Sequence, residues 1–539
     1  MSDLTPITRE EALLDGADLE PITRKEQFIK RIYDKTQEVP APITREEWFL
    51  KKAGEGTSPV TIEQLNATEN GTYSEEGKAY SPVIVEVPEP TLVTKSITAN
   101  GTYTASDDNA DGYSQVTASI PLGTKTITAN GVYNASDDDL AGYSQVTAGV
   151  VPIYGFHLNG AETDPAHAIT YIADNINAEP AYMNYANDRF EYGSWKDAWF
   201  IRDLKPCILN QDGTVRCYLN KNDYTKDVEG NTVAIDETLT GANVMIEFPK
   251  IWMKFVPDAS DDTSCDVYFS QKKQDDGYTD YPYIAMDGIT HKEHFYMPAF
   301  NGSVIDNVLR SIAGQTSSKC QNKTASEEIA AAQANGSGWW IECAGQIMLI
   351  NMLLLLISRN TDTQATFGEG ISSGSQTAFD NYVTGTLKDK GLFYGSNGTT
   401  TAVKVFGIEN WWALQWRRYS GDICKDNEIL AKMCWGKSDG STVDSYNLDG
   451  TGYVDIGASP ATNYLITQRW TSLGCFTKTT GSNTSSPYKD YYYVAASGVR
   501  FALRGGSSYN GSSAGAFYVY RDRGAGYRYW SVGAALSFT

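Results

Sequence analysis

The chain is poor in the residues that metal sites and most enzymes need. It has only four histidines in 539 residues: His157, His167, His291 and His294. His291-Lys292-Glu293-His294 spaces two of them by three positions, not by the four that put a pair of zinc-binding imidazoles on one helix face. No Cys-x-x-Cys pair occurs among Cys207, Cys217, Cys265, Cys320, Cys343, Cys424, Cys434 and Cys475. That removes zinc frameworks and dithiol redox motifs, and free buried thiols are expected. There is no phosphate-binding P-loop and no Gly-x-Gly-x-x-Gly placed after a strand. The expectation is a chain without catalytic residues, cofactor or metal.

Positive charge is also scarce. Lys and Arg number 44 against 66 Asp and Glu, a formal net charge of -22. A general nucleic-acid binder needs basic surface to displace counterions from phosphate, and anionic membranes attract basic segments. Neither nucleic acid nor membrane is therefore an expected partner. Long apolar runs are missing too. The longest, near Ile347 to Ile357, is broken by Asn351, and spanning a bilayer takes about 20 apolar residues. The start shows no basic segment leading into an apolar one, so no signal peptide is expected.

Tyrosine is abundant, with 34 residues against 18 Phe and 12 Trp. Tyrosine suits binding surfaces, giving rigid contact area at low entropy cost, and it suits β-sheet packing equally.

Repeats organise the first 150 residues. Pro6-Ile7-Thr8-Arg9-Glu10-Glu11, Pro21-Ile22-Thr23-Arg24-Lys25-Glu26 and Pro42-Ile43-Thr44-Arg45-Glu46-Glu47 each contain Thr-x-x-Glu, the capping box of a helix start. Three short helices are expected over 1–54. Asn70-Gly71-Thr72-Tyr73, Asn100-Gly101-Thr102-Tyr103 and Asn130-Gly131-Val132-Tyr133 recur every 30 residues, each followed by Tyr-Ser at 80–81, 113–114 and 143–144. Asn-Gly favours a tight hairpin turn, and Ser114 to Ile120 alternates like a strand, so 55–150 reads as tandem β-modules forming a stalk. Asp107-Asp108 and Asp137-Asp138-Asp139 suit solvated turns, since calcium needs about six converging oxygens. Ser445 to Ile456 echoes a calcium loop through Asn447, Asp449 and Gly450 but lacks its first and last acids.

Residues 151–539 read as one large α+β domain. A helix is expected over 339–358, burying Ile347, Leu349, Ile350, Leu353, Leu354 and Ile357. The tail differs from everything before it. Arg500 to Thr539 holds five Arg, one Asp and nine aromatic residues, a local net of +4 within an acidic chain. Tyr518 to Ser531 follows neither strand nor helix period and has the composition of a binding loop. The ordinary alternative is a tyrosine-rich strand pair closing the domain. The candidate binding residues are Ser508, Tyr509, Asn510, Ser513, Tyr520, Arg521, Asp522, Arg523, Gly526, Tyr527, Arg528, Tyr529 and Ser531. Gly505, Gly506, Gly515, Phe517, Gly533 and Leu536 are the expected scaffold between them.

Gly498-Val499-Arg500-Phe501-Ala502-Leu503-Arg504-Gly505-Gly506-Ser507 resembles the terminal signature of C-type-lectin-fold proteins related to formylglycine-generating enzymes. Val403 to Trp416 resembles that family's Asn-x-Trp-Gly-Asn-x-Trp-Glu region, with Ala413 in place of a glycine and Arg417 in place of the acid. The ending, from Ala514-Gly515 through Val532-Gly533-Ala534-Ala535-Leu536, resembles the variable region of proteins diversified by retroelements, about 504–533 here. In those systems template adenines are randomised. Tyr509, Ser513, Tyr520, Asp522, Arg523, Tyr527, Tyr529 and Ser531 fit changes of an AAC codon, and Gly526 and Arg528 fit an AGC codon. The N-terminal helices and Asn-Gly modules resemble tail-fibre segments of phages infecting gut Firmicutes.

Together these resemblances imply a phage tail receptor-binding protein, located at the virion tail tip and made in the host cytoplasm. Its α+β fold is a C-terminal C-type-lectin-like domain preceded by small β-modules and short helices. Residues 1–54 attach to tail or baseplate proteins, 55–150 form the stalk, and 151–539 meet a host surface protein or glycan. A homotrimer gains avidity by multivalency. The oxidase branch holds copper with a late cysteine pair, and no cysteine follows Cys475. The Glu-Pro-Asn and Trp-Asn-Asp calcium motifs of sugar-binding lectins are absent as well. The rivals are a bacterial surface adhesin of the same fold, and a formylglycine-type oxidase or depolymerase.

Overall fold

The computed structural model describes residues 152–316, 319, 322–435 and 446–539, and the strands of three hairpins between 71 and 148. The chain separates into two compact units, Met1–Val150 and Val151–Thr539. The helices expected over 1–54, the Asp pairs of the repeats, and Cys320 lie outside the described residues.

In the first unit, Gly71–Tyr73 pairs antiparallel with Val83–Val85, Gly101–Thr104 with Gln115–Ala118, and Gly131–Tyr133 with Val146–Ala148. Each repeat thus supplies one hairpin. The turn is not where Asn-Gly suggested. Each of these glycines is already paired, facing Val85, Ala118 and Ala148, so each glycine opens the leading strand. The connection to the partner strand lies beyond Tyr73, Thr104 and Tyr133.

The second unit is mostly β-sheet, with five α-helices among the described residues, so its helical share is smaller than expected. A seven-stranded antiparallel sheet runs Asp223–Asp227, Val215–Asn220, Lys205–Asn210, Ala242–Pro249, His294–Pro298, Leu536–Phe538 and Trp339–Ile341. A four-stranded sheet joins Trp252–Pro257, Cys265–Ser270, Tyr154–Leu158 and Ile169–Ala173. A nine-stranded sheet has Trp416–Lys425 and Val499–Arg504 at its middle.

The helix is Ala344–Ser358, shorter than expected at its start. Trp339–Ile341 pairs with Leu536–Phe538 as a strand instead, because its three consecutive large apolar residues are buried between neighbours. The helix begins after Cys343, whose N–H donates to Gln346 Oε1 at 3.0 Å and so satisfies one free helix-end donor. All its residues except Met348 are buried. A helix apolar all round belongs in a core. Asn351, the polar break in its run, has a specific task. Its Oδ1 accepts from Trp411 Nε1 and its Nδ2 donates to the Ala516 carbonyl, each at 2.8 Å. The amide therefore ties the central helix to the tail.

The tail closes both larger sheets. Val532–Ala534 runs parallel to Trp416–Arg418, and Leu536–Phe538 inserts between His294–Pro298 and Trp339–Ile341. Residues 505–531 are an excursion between firmly paired strands.

Candidate binding face

The excursion starts with two consecutive left-handed glycines, Gly505 at φ +83° and Gly506 at φ +80°. A Cβ on Gly506 would lie 2.8 Å from the Ala514 Cβ, so both conformation and space require glycine there. Ala413 N–H donates to the Gly505 carbonyl and Ser508 N–H to the Leu414 carbonyl. Ala413 itself has φ +62°, a left-handed backbone that an alanine rarely adopts. Gly515 packs on Asp490: an added Cβ would fall 1.8 Å from the carboxylate, which accepts from Phe517 N–H at 2.7 Å. Phe517 and Leu536 are buried, as is Gly533.

Val519–Arg521 then forms a short strand, antiparallel to Val499–Arg504 and parallel to Tyr491–Val494. Strand side chains alternate between faces. Tyr520 turns outward and stacks on Tyr493, with centroids 5.0 Å apart. Arg521 therefore turns inward. It is 1% exposed and both its Nε and Nη2 reach Asp422 at 2.6 Å. The expectation that Arg521 projects outward is corrected by this alternation. Ser508 and Ser531 are also buried. Ser508 is held by the Leu414 carbonyl, and the Ser531 carbonyl accepts from Trp416 N–H. These serines are fixed by strand and loop pairing.

The last loop, 522–531, is held through its carbonyls. Phe501 N–H donates to Arg523, Ala325 N–H to Ala525, Asn322 N–H to Tyr529 and Trp416 N–H to Ser531. Arg418 Nη2 donates to the Tyr527 carbonyl at 2.9 Å. Every acceptor is main chain, so these contacts do not depend on which side chains the loop carries. Arg523, Arg528 and Tyr529 are exposed, and Asp522 and Tyr527 are half-buried. Gly526 is open: a Cβ there would meet nothing within 4 Å. The donors sit on braced elements. Helix Ala325–Gln333 starts with a complete capping box, Thr324 with Glu327, and its buried Glu328 pairs with Arg418 Nε.

The tail, with Trp416, Tyr493 and Leu503 of neighbouring strands, lines a concavity of about 210 Å³. Of the thirteen candidates it gathers Tyr509, Asn510, Tyr520, Tyr527, Tyr529 and Ser531. Ser513, Asp522, Arg523, Gly526 and Arg528 are not in the lining, and Ser508 and Arg521 are packed inside the protein. Asn510 orders the loop as well, accepting from Ser507 N–H at 2.8 Å and Ser507 Oγ at 2.9 Å, and Ser513 Oγ donates to the Asn510 carbonyl. Sequence reasoning missed Trp416, Tyr493, Tyr518 and Trp530, which also line the wall. Trp416 meets Tyr518 edge-on at 4.6 Å, and Tyr527 stacks on Tyr529 at 6.0 Å. Burial pushes the Tyr518 and Tyr520 hydroxyls above the ordinary tyrosine range, so both are neutral phenols.

Four of the five tail arginines are paired with carboxylates. Arg504 pairs with Glu342 at 2.7 Å, Arg523 with Asp522 at 3.1 Å and Arg528 with Glu327 at 2.9 Å, alongside Arg521 with Asp422. Glu342 also takes Arg417 at 2.9 Å, and the Arg504 guanidinium lies 3.6 Å from the Trp411 ring centroid. Burial lowers the Arg504 guanidinium to about 10, against the pull of Glu342. This cluster is a buried brace under the face.

Elsewhere the expected chemistry is dispersed. His291 contacts Asp280 at 2.7 Å while His294 lies 3.7 Å from Glu247, so the two imidazoles serve different carboxylates. Asn447 and Asp449 cap their own turn through Gly450 and Thr451 N–H groups. The seven described cysteines are free, and all but Cys217 are buried. Among the described residues no group of three or more His, Cys, Asp or Glu is gathered for a metal, and no helix is long and apolar enough to cross a membrane. No protein-family model matches the chain, and no curated protein matches it.

Proposed function

We propose that the chain is a phage tail receptor-binding protein, whose residues 151–539 carry a C-type-lectin-like fold and a diversified binding face. One observation supports this reading above the others. The loop bearing Tyr527, Arg528 and Tyr529 is fastened through its carbonyls, while Arg528 and Tyr529 are exposed and Tyr527 is half-buried. Such a loop changes its binding chemistry without changing its attachment. In this reading residues 1–54 join the tail or baseplate, 55–150 act as the stalk, and three copies add avidity. The chain binds a host surface ligand and carries out no reaction.

The test is adsorption of the labelled full-length chain to a panel of gut Gram-positive bacteria. A variant carrying Tyr527→Ser, Arg528→Asn and Tyr529→Asp should bind a different subset of strains, or none. Identical strain preference and affinity in both proteins would contradict the reading.

A further inference from the structure

We infer that the aromatic concavity takes a neutral saccharide unit, a single sugar ring stacked on its tyrosine and tryptophan faces; the inference rests on the proposed binding role of this face. Size is the first argument. The concavity holds about 210 Å³, below the roughly 300–1,000 Å³ of sites for larger organic ligands. One ring with its substituents fits that space.

Charge is the second argument. Among the described residues that line the concavity, none carries a formal charge. An anionic ligand finds no guanidinium in the wall, and the exposed Arg523 and Arg528 are already paired with Asp522 and Glu327. A cationic ligand seeks aromatic faces. Here the Arg523 guanidinium already lies 5.0 Å from the Tyr527 ring centroid, where it competes with and repels a second cation.

Polarity is the third argument. A purely apolar ligand would strip water from the exposed Tyr509 and Tyr529 phenols without replacing it. A pyranose matches both halves of the lining: its axial C–H face lies on a ring, and its hydroxyls meet the exposed phenols. The wall also divides by origin. Trp416 and Tyr493 come from strands outside the tail, and Tyr493 stacks on Tyr520 within 21° of parallel. Those scaffold rings set the ligand class, while Tyr509, Tyr527 and Tyr529 select among its members.

Saturation-transfer NMR on the full-length chain tests this. The probes are methyl glycosides of glucose, galactose, N-acetylglucosamine and rhamnose, with choline chloride and inorganic phosphate as charged controls. At least one glycoside should receive saturation on its ring C–H protons. Tyr493→Ala should weaken it by about tenfold, the scale of one lost ring contact, and Tyr493→Phe should retain it. Saturation of choline or phosphate alone, or of no probe, overturns the inference. A cell experiment separates this failure from failure of the binding face. Periodate, which cleaves sugar diols, should abolish Tyr527-dependent adsorption to bacteria. If that adsorption survives periodate and is lost to protease, the ligand is a protein and the saccharide inference falls while the binding face stands. If adsorption never depends on Tyr527, the binding face falls too.

Discussion

Arg521 and Asp422 form a two-pronged buried ion pair, with both contacts at 2.6 Å, directly beside the outward-facing Tyr520. One residue of the tail thus holds the fold and its neighbour lines the concavity. Removing one member of a buried pair strands the other charge, a loss of about 3–5 kcal/mol. Arg521→Ala should therefore lower the melting temperature steeply. Arg523→Ala, two positions on, removes an exposed arginine from a surface pair and should cost at most about 1 kcal/mol. Thermal unfolding of the two variants side by side checks this; equal losses would mean the alternation of the strand does not govern the tail.

Asn351 should be costlier to replace than an apolar neighbour. Asn351→Leu leaves the Trp411 indole N–H and the Ala516 carbonyl without their partner in the core. Each buried unsatisfied group costs about 1–3 kcal/mol. Met352→Leu, at an equally buried site, conserves volume and should cost under about 1.5 kcal/mol. Urea midpoints at unchanged m-value report the difference, and a neutral Asn351→Leu would contradict the tie between helix and tail.

Stability should also carry a pH signature from the brace behind the loop. Burial pushes the Glu328 carboxyl up from 4.5 to about 7, against the opposing charge of Arg418. The folded protein then keeps a proton that the unfolded chain has already released. The associated stability is fully present below the ordinary carboxylate value and is lost as pH rises through about 7. Relative to Glu328→Gln, the wild-type melting temperature should fall between these two values. Parallel curves for the two proteins would show that Glu328 titrates as an ordinary carboxylate.

The general character of the tail was legible in the sequence because aromatic, Arg, Gly and Ser residues without a clean period are visible one residue at a time. What could not be read was which of them face inward. Arg521 belongs to a three-residue strand, Val519–Arg521, whose pairing comes from Tyr491–Val494 and Val499–Arg504, so its direction is set by distant residues. Tyr493 was missed for the same reason, although Tyr491-Tyr492-Tyr493 marks a strand with alternating faces: Tyr492 is 0% exposed and Tyr493 38%. Helix Ala325–Gln333 does carry a sequence signal, the Thr324-Ala325-Ser326-Glu327 capping box, the same pattern that occurs three times near the N-terminus. The apolar run marks the long helix but not its start, which is Ala344 and not residue 339. Trp339–Ile341 is equally apolar, and only its pairing with Leu536–Phe538, nearly two hundred residues away, makes it a strand. Asn-Gly misplaced the hairpin turns because the dipeptide permits a turn without requiring one.

The most direct measurement follows adsorption and melting temperature together in the full-length chain carrying Tyr509→Ala and Tyr529→Ala. Tyr509 and Tyr529 are among the exposed large side chains, at 72% and 46%, and the loop carrying Tyr527 and Tyr529 is attached through main-chain carbonyls. Exposed substitutions cost about 0.5 kcal/mol or less each. The account predicts that adsorption to a bound bacterial strain is lost while the melting temperature stays within about 3 °C of wild type. Retained adsorption, or a fall in melting temperature as large as that of Arg521→Ala, would contradict it.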